Sequence, residues 1–417
     1  MVDKIKGDTN VAEDSAFRYG HFTINGKRVE VPLQALDAKK YYESKIDFKD
    51  LKIDIAEVYR TYNGEKLAMF RKYPEEAAKE DRNLTLWKNK VGEKSIRFLF
   101  IRFEGEDYPN DEDIGSLINF SYSFSDATPI PSFPDVFKEK IQRINKDGTK
   151  KVDREGKPVI DTKIVVTEAK LKKHFDFLKR YIDTLNNLNH KDVLGIIPIN
   201  IGGSNIEKLI SFYYNNGINN FYLDLNSAGF DRLIDTALMW GILREIKRLG
   251  LEYQKTFFYS INGSPGRFQK GAAIVGSKDI LTGGAGLDSV GRMHLKGMGK
   301  KKPIQFDPRV KEKEKLNRIR LFNKQDYGYY KLESKSIPFN LPKDSIIDKN
   351  LILDLNKGKK FADIFNMQQL SIENNNLRNY IKENRNPVSI IRKEKGKASP
   401  KDLSLIQRFK LKIKSLT

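Results

Sequence analysis

Apolar and polar positions along the chain recur at two spacings, one of strands and one of helices. Gly20-His-Phe-Thr-Ile-Asn-Gly-Lys-Arg-Val-Glu-Val-Pro32 alternates around Asn25-Gly26, the pattern of a tight β-hairpin. Ser95-Ile-Arg-Phe-Leu-Phe-Ile-Arg-Phe103 is nearly all apolar and predicts a buried strand, whereas 33–95 mixes short helical patterns with a charged stretch. Ile118-Asn-Phe-Ser-Tyr-Ser-Phe124 alternates and runs into Ser125-Asp126-Ala-Thr-Pro-Ile-Pro131, where prolines impose a loop. Over 144–166 the turn signals Lys146-Asp-Gly148 and Arg154-Glu-Gly156 separate β-prone pieces and predict an inserted, basic, exposed hairpin. Thr167 then caps a helix on which Leu171, Phe175, Leu178, Ile182 and Leu185 recur at three- and four-residue steps.

From Val193 the pattern becomes regular. Strands are predicted at 193–200, 220–225, 257–261 and 279–282, and helices at 206–215, 233–249 and 266–275, with Gly217 and Gly250 ending the first two. This alternation predicts an α/β fold of parallel β/α units, as a closed barrel or an open doubly wound sheet. Residues 1–16 are polar and expected to be flexible; 17–385 form the main domain; 386–417 form a basic C-terminal extension. There Ser399-Pro-Lys-Asp402 starts an amphipathic helix with Ile406, Phe409, Ile413 and Leu416 on one face and Lys410 and Lys414 on another.

Charge narrows the partners. Lys and Arg number 76 against 55 acidic residues, a net +21 that attracts polyanions, so nucleic acid is the expected partner. The absence of cysteine excludes disulfides, thiolate nucleophiles, iron–sulfur clusters and cysteine zinc sites. His21, His174, His190 and His294 stand apart without metal-ligand spacing, so no metal or other cofactor is expected. No signal-like start and no run of about 18 apolar residues is present, which predicts an intracellular, cytoplasmic protein without a membrane partner.

In parallel β/α folds the loops after the strands build the site. The residues expected there are Asp126 with Thr128, Asn200 with Gly202 and Gly203, Asp224 with Asn226, Asn262 with Gly263, and Thr282-Gly-Gly284. Carboxylates and amides so placed match the edge of a heterocyclic base. Gly202-Gly203-Ser204 and Gly283-Gly-Ala-Gly286 offer turns for a phosphate at a helix N-terminus, but neither has the Walker lysine or the full dinucleotide fingerprint. Between Arg292 and Arg320 stand eleven Lys/Arg and three acidic residues. Arg292, Lys296, Lys300, Lys301, Lys302, Arg309, Arg318 and Arg320, with Lys410 and Lys414, are the expected phosphate contacts, and Tyr327, Tyr329 and Tyr330 the bases' stacking partners.

These pieces fall in the order seen in the tRNA-guanine transglycosylases, base-exchange enzymes of 7-deazaguanine modification. The 20–32 hairpin resembles that family's start, and Phe124-Ser-Asp126-Ala-Thr-Pro129 resembles its Phe-Asp-Glu-Cys-Thr-Pro segment, whose Asp binds guanine. Ile199-Asn-Ile-Gly202-Gly203 is similar to its Val-Gln-Gly-Gly strand end, and 217–226, 257–265 and 275–282 to its later strands. The resemblance spans most of 17–385 and implies a (β/α)8 TIM-type barrel with an inserted hairpin, acting on tRNA or DNA, with Asp126, Asn200, Gly202, Gly203 and Asp224 binding the base. Thr282 stands where the family has its nucleophilic Asp, so Asp279 or Asp288 is the candidate nucleophile. The family's Asp-Ser-Gly-Gly-Phe motif and cysteine zinc site are absent. What the resemblance implies is therefore a diverged protein that exchanges or recognises a guanine or 7-deazaguanine base, expected as a homodimer or beside a transglycosylase-like subunit. The alternatives are an inactive nucleic-acid-binding subunit paired with an active homologue, and an unrelated barrel enzyme acting on a phosphorylated metabolite at Gly202-Gly203.

Overall fold

The computed structural model describes residues 5–47, 51–145, 149–152, 155–188, 191–269, 271–295 and 308–414. Eight parallel segments organise it: β1 (33–37), β2 (Ile55–Tyr62), β3 (Ile96–Phe103), β4 (128–132), β5 (Val193–Pro198), β6 (Asn220–Asp224), β7 (Phe258–Ile261) and β8 (Ser289–Val290). They pair as a six-stranded sheet in the order β1-β8-β7-β6-β5-β4 and a three-stranded sheet β1-β2-β3. The sheets share β1: its half Leu33–Gln34 pairs with Ser289–Val290 and its half Leu36–Asp37 with Ala56–Glu57. They meet again where Ser132 N donates to Ile101 O (2.7 Å) and Phe103 N to Ser132 O (2.8 Å).

Apart from β2, which Glu57 and Arg60 interrupt, the longer strands are largely apolar because they are covered on both faces. Helices follow β2 (Gly64–Lys72, Pro74–Val91), β3 (Asp111–Phe124), β4 (Glu168–Leu188), β5 (Gly203–Asn215) and β6 (Phe230–Asp235, Leu238–Arg248). Between the sheets the core is aromatic: Phe98 lies 5.3 Å from Tyr259 and Phe100 4.9 Å from Tyr222, ring to ring. An antiparallel sheet of Lys6–Val11, Arg18–Ile24 and Lys27–Val31 covers the strands' N-terminal end, where Phe22 meets Phe257 edge-on at 5.0 Å.

Several elements depart from expectation. Residues 6–11 of the supposed flexible start pair with 18–23. The segment 118–124 is helical, not extended: Asn110 caps Asp113 N at 2.8 Å, and Ile114, Leu117, Ile118, Ser121 and Phe124 repeat at helical spacing over fourteen residues. The helix expected over 233–249 breaks at Ala237 (φ 55°). Among the described residues of 266–275 there is no helix, since Gly266 and Gly271 take φ 133° and 82°, and Ile274–Gly276 instead joins Arg320–Asn323 and Gly328–Lys331 in a small antiparallel sheet. In place of a strand at 279–282 the chain makes a 3-10 turn at Thr282–Ala285, and the parallel strand comes at Ser289. The C-terminal segment holds two helices, Pro387–Glu394 and Pro400–Ile413; the latter buries Leu403, Ile406, Phe409 and Ile413 and packs on Phe230–Asp235 and Leu238–Arg248. Among the described residues no helix is long and apolar enough to cross a membrane.

Candidate functional site

Above the aromatic layer, at the strands' C-terminal ends, the side chains turn polar. Glu57 and Tyr59 come from β2, Arg102 from β3, Ser132 from β4 and Asp224 from β6, while Asn262 follows β7 and His294 follows β8. Glu57 is fully buried and accepts from His294 Nε2 (2.8 Å), Tyr259 Oη and the Arg292 backbone N–H. Asp37 Oδ2 lies 3.8 Å from the other nitrogen of His294, whose ring stacks on Tyr59 with centroids 5.0 Å apart and planes 3° from parallel. Asn262 links this group to Asp224: its Oδ1 accepts from His294 N (3.0 Å) and its Nδ2 donates to Asp224 Oδ1 (3.0 Å).

Asp224 is 4% exposed. Its Oδ1 also accepts from Asn226 N at 3.0 Å, but among the described residues Oδ2 has only a long 3.4 Å contact from Ser132 Oγ. Burial pushes its carboxyl up, against the Asn262 and Asn226 donors. Burial, then the Asp224 charge, pushes the Tyr59 phenol up to about 12 against the Arg102 charge and the neighbouring Asn262 and Arg102 side chains; among the described residues its buried hydroxyl makes no well-formed hydrogen bond. Three non-glycine residues around Asp224 take left-handed backbone, Asn226 (φ 45°), Ser227 (67°) and Asn262 (57°). Such clustering of strained backbone is a mark of functional sites. A narrow cleft lined by Ser132, Phe137, Ile164, His174, Pro198 and Asn200 opens beside it.

Of the expected base-binding residues, Asp224 and Asn200 lie at this end, with Gly202 (φ 89°) and Gly203 exposed at the start of helix Gly203–Asn215. Asp126 does not. It precedes β4 and therefore lies at the opposite, N-terminal end, accepting from Lys27 Nζ (2.9 Å), Arg97 Nε (3.2 Å) and Asn25 Nδ2 (3.0 Å). Burial pushes its carboxyl up and these donors outweigh burial, leaving it below its ordinary value. Asp288 precedes β8 at that same end, bonded to Arg18 Nη1 at 2.8 Å with both side chains fully buried. Burial pushes it up to about 7 against the Arg18 charge. Asp279 lies beside the small sheet, accepting from Ser277 Oγ and Tyr329 Oη, and Thr282 Oγ1 donates to Lys278 O at 3.0 Å. The base-binding role expected of Asp126 and the nucleophilic role expected of Asp288 are thus corrected, because both lie at the end opposite Asp224.

The expected phosphate contacts divide similarly. Arg292 is 13% exposed and pairs with Asp363 at 3.3 Å, and Lys410 is buried, 8% exposed, so neither presents an exposed free cation. Arg318, Arg320 and Lys414 are exposed, Arg320 lying over Phe268 at 4.8 Å. Lys296, Lys300, Lys301 and Lys302 lie outside the described residues; Arg309 belongs to helix Pro308–Leu316, and its side chain lies outside them too. Tyr327 and Tyr329 are buried on Glu373 and Asp279, which removes them as stacking partners; Tyr330 is half-buried, its hydroxyl on Asp326 and its ring 5.2 Å from that of Phe339. Glu57, Tyr59 and His294 were not expected. A lone carboxylate within the apolar run Ile55-Ala-Glu-Val-Tyr59 is the signal that marks the first of them. Among the described residues no group of three or more His, Asp or Glu side chains is disposed to hold a metal ion.

No family model and no curated protein matches the chain. Solved structures similar to it include a 2,3-dimethylmalate lyase of the PEP mutase/isocitrate lyase superfamily, 10% identical with a TM-score of 0.32, over 62% of this chain and 74% of that one. A putative phosphonomutase from Burkholderia cenocepacia J2315 is 10% identical, with a TM-score of 0.30 over 65% and 87%. A 3-dehydroquinate dehydratase from Enterococcus faecalis is 10% identical, with a TM-score of 0.20 over 57% and 70%. At these values the likeness carries over neither family nor chemistry.

Proposed function

We propose that the chain is a diverged, transglycosylase-like (β/α)8 barrel that recognises a guanine-type base of a nucleic acid at its C-terminal mouth and does not exchange it. The two junctions between the parallel sheets, at 33–37 and at Ser132, support the barrel. The half-free carboxylate of Asp224 supports the ligand. A desolvated carboxylate with one oxygen short of donors gains most from two adjacent N–H groups, which guanine offers at its ring N–H and exocyclic amine. The Tyr59 hydroxyl and the Asn200 amide supply further polar contacts beside it.

The pairing of the described carboxylates supports recognition without exchange. Asp279 and Asp288 are bonded elsewhere, and Glu57 is saturated by three donors. An attacking carboxylate opposite Asp224 is what base exchange requires, and in this reading an active homologous subunit supplies it. Among the described residues the nearby cations Lys40 and Arg292 are committed to Asp363 and Arg102 is paired with Glu104 at 3.2 Å, which supports a neutral heterocycle over a phosphorylated metabolite.

Calorimetric titration with guanine and 7-deazaguanine tests this. Asp224→Asn keeps the shape, removes the charge and is expected to weaken binding by about 10- to 100-fold, the worth of a charge-assisted hydrogen bond. Equal binding by Asp224→Asn overturns the reading. So does incorporation of radiolabelled guanine into tRNA or DNA by the protein alone, or saturable binding of a phosphorylated metabolite in place of the base.

A further inference from the structure

At the N-terminal end of the strands, four cations gather on the short segment 122–126, where helix Asp111–Phe124 ends. Lys191 Nζ donates to Tyr122 O and to Ser125 O (2.8 Å) and lies 4.1 Å from the centre of the Tyr122 ring. Lys88, in the last turn of helix Pro74–Val91, donates to Ser123 O at 2.8 Å. Lys27, from the covering antiparallel sheet, reaches Ser95 O (2.9 Å) and Asp126, and Arg97 at the start of β3 reaches Asp126 through Nε and Nη2. All four stand within electrostatic reach of one another.

The charges of this cluster do not balance. Against the four cations stand the Asp126 carboxylate and the C-terminal ends of two helices, about half a negative charge each, which leaves a surplus of about two positive charges. Asp81, exposed and within reach of Lys88, takes off at most one more. Asp192, next to Lys191, accepts from Ile5 N (2.7 Å) and Asn220 Nδ2 (3.3 Å). Water does little to relieve the surplus, since Lys88 and Lys191 are half-buried and the Lys27 and Arg97 side chains are 19% and 11% exposed. Burial, then the Lys88 charge, pushes the Lys191 amine down to about 8, and burial pushes Lys27 and Lys88 down as well.

A single cation suffices to cap a helix end. Four gathered against their own repulsion fit a further anion, and donors remain for it. Among the described residues Lys88 uses one of its three N–H groups and Lys191 two, while the Arg97 guanidinium leaves Nη1 uncommitted. A phosphate group carries about −1.5 to −2 at pH 7 on several acceptor oxygens, which matches both the surplus and the donors.

We infer that this cluster is a binding site for a dianionic phosphate, held by Lys88, Lys191 and Arg97, with Lys27 and Asp126 fixing the guanidinium in place. The site lies at the end opposite Asp224 and stands or falls without the base-recognition reading.

Thermal melts and calorimetric titration of the full chain with inorganic phosphate, at ionic strength matched with sodium chloride, test it. Phosphate is expected to raise the Tm saturably, by mass action on the folded state. Lys88→Gln, at an exposed contact, is expected to keep the fold and weaken phosphate binding at least about threefold, and Lys88→Gln with Lys191→Gln at least about tenfold. Whatever Tm gain survives in the pair is the general stabilising effect of phosphate salts, so a gain equal to that of wild type in both variants overturns the inference. At about pH 8 phosphate is also expected to slow labelling of Lys191 by an amine reagent, read by peptide mass spectrometry, because a bound anion raises the amine's proton affinity. Binding that leaves this labelling unchanged counts against the site. A nucleoside monophosphate distinguishes the sources: tighter, Lys88-dependent binding than that of inorganic phosphate names an esterified ligand, binding of inorganic phosphate alone names the free ion, and saturable binding of neither removes the site. Competition between guanine and phosphate would put the anion in the mouth and overturn the inference, whereas failure of guanine to bind removes only the base site.

Discussion

Replacing Arg18 with methionine keeps most of the side chain's volume and removes its charge. Arg18 and Asp288 are both fully buried, 2.8 Å apart, and Arg18 also donates to Thr9 Oγ1 (2.8 Å), Thr256 O (2.9 Å) and Gln254 O (3.1 Å). Losing one partner of a buried pair costs about 3–5 kcal/mol, because the other charge stays desolvated and alone. With about 2.1 cal/mol/K of unfolding entropy per residue over 417 residues, the melting temperature is expected to fall by about 3–6 °C. The cost also depends on pH. Asp288 has its folded value raised to about 7 by burial, against about 3.9 in the unfolded chain. Between those values the folded state holds a proton the unfolded state has released, so stability is fullest below about pH 4 and declines as pH rises through about 7. Without the guanidinium the folded value rises further and the decline continues above neutrality. Thermal and urea melts at about pH 5.5 and 8.5 should therefore show a larger Arg18→Met deficit at the higher pH, and adding Asp288→Asn should recover part of it. A deficit equal at both pH values, or under about 1 kcal/mol at the higher one, refutes the buried-pair reasoning.

Gly291→Ala places a Cβ 2.4 Å from Glu57 Oε2 and 2.7 Å from Ser260 O; a loss of about 2 kcal/mol or more in melts, with weakened guanine binding, is expected, and unchanged melts would mean that the contact of Glu57 Oε2 with Tyr259 Oη yields easily. His174 is buried with its pKa lowered to about 3 by burial, against about 6.5 unfolded. The stability it contributes is present above about pH 6.5 and lost as pH falls toward 3, so His174→Phe should flatten the acid limb of the stability curve, and an unaltered limb counts against a neutral buried imidazole.

Local chemistry was legible where neighbours in sequence decide the structure. Asn25 (φ 50°) and Gly26 (φ 73°) form the hairpin turn that their identities require, and Thr167 Oγ1 caps Lys170 N at 3.2 Å as its place before a helical pattern implies. Position along a strand was less legible. Asp126 and Asp288 are buried, chemically distinctive carboxylates, but which end of the sheet they occupy depends on whether the strand precedes or follows them. The strands that follow, Thr128–Pro129 and Ser289–Val290, are too short to leave an alternation. The strand Ile55–Tyr62 was hidden because Glu57 and Arg60 interrupt its apolar run. Isolated in sequence, His294 reads as an unremarkable residue, since the carboxylate it meets is 237 positions away.

The sharing of 33–37 between two sheets bears on how the chain is made. Leu33–Gln34 finds its partner only in Ser289–Val290, whereas Leu36–Asp37 can pair as soon as residues 56–57 are available. During synthesis, then, the early strands can assemble on one another while one side of β1 keeps its hydrogen-bonding groups open until nearly three hundred residues have emerged. An open strand edge invites pairing with other chains. A chain interrupted before Ser289 retains that edge permanently, and such fragments are expected to associate with one another even where their remaining helices and strands are correctly formed.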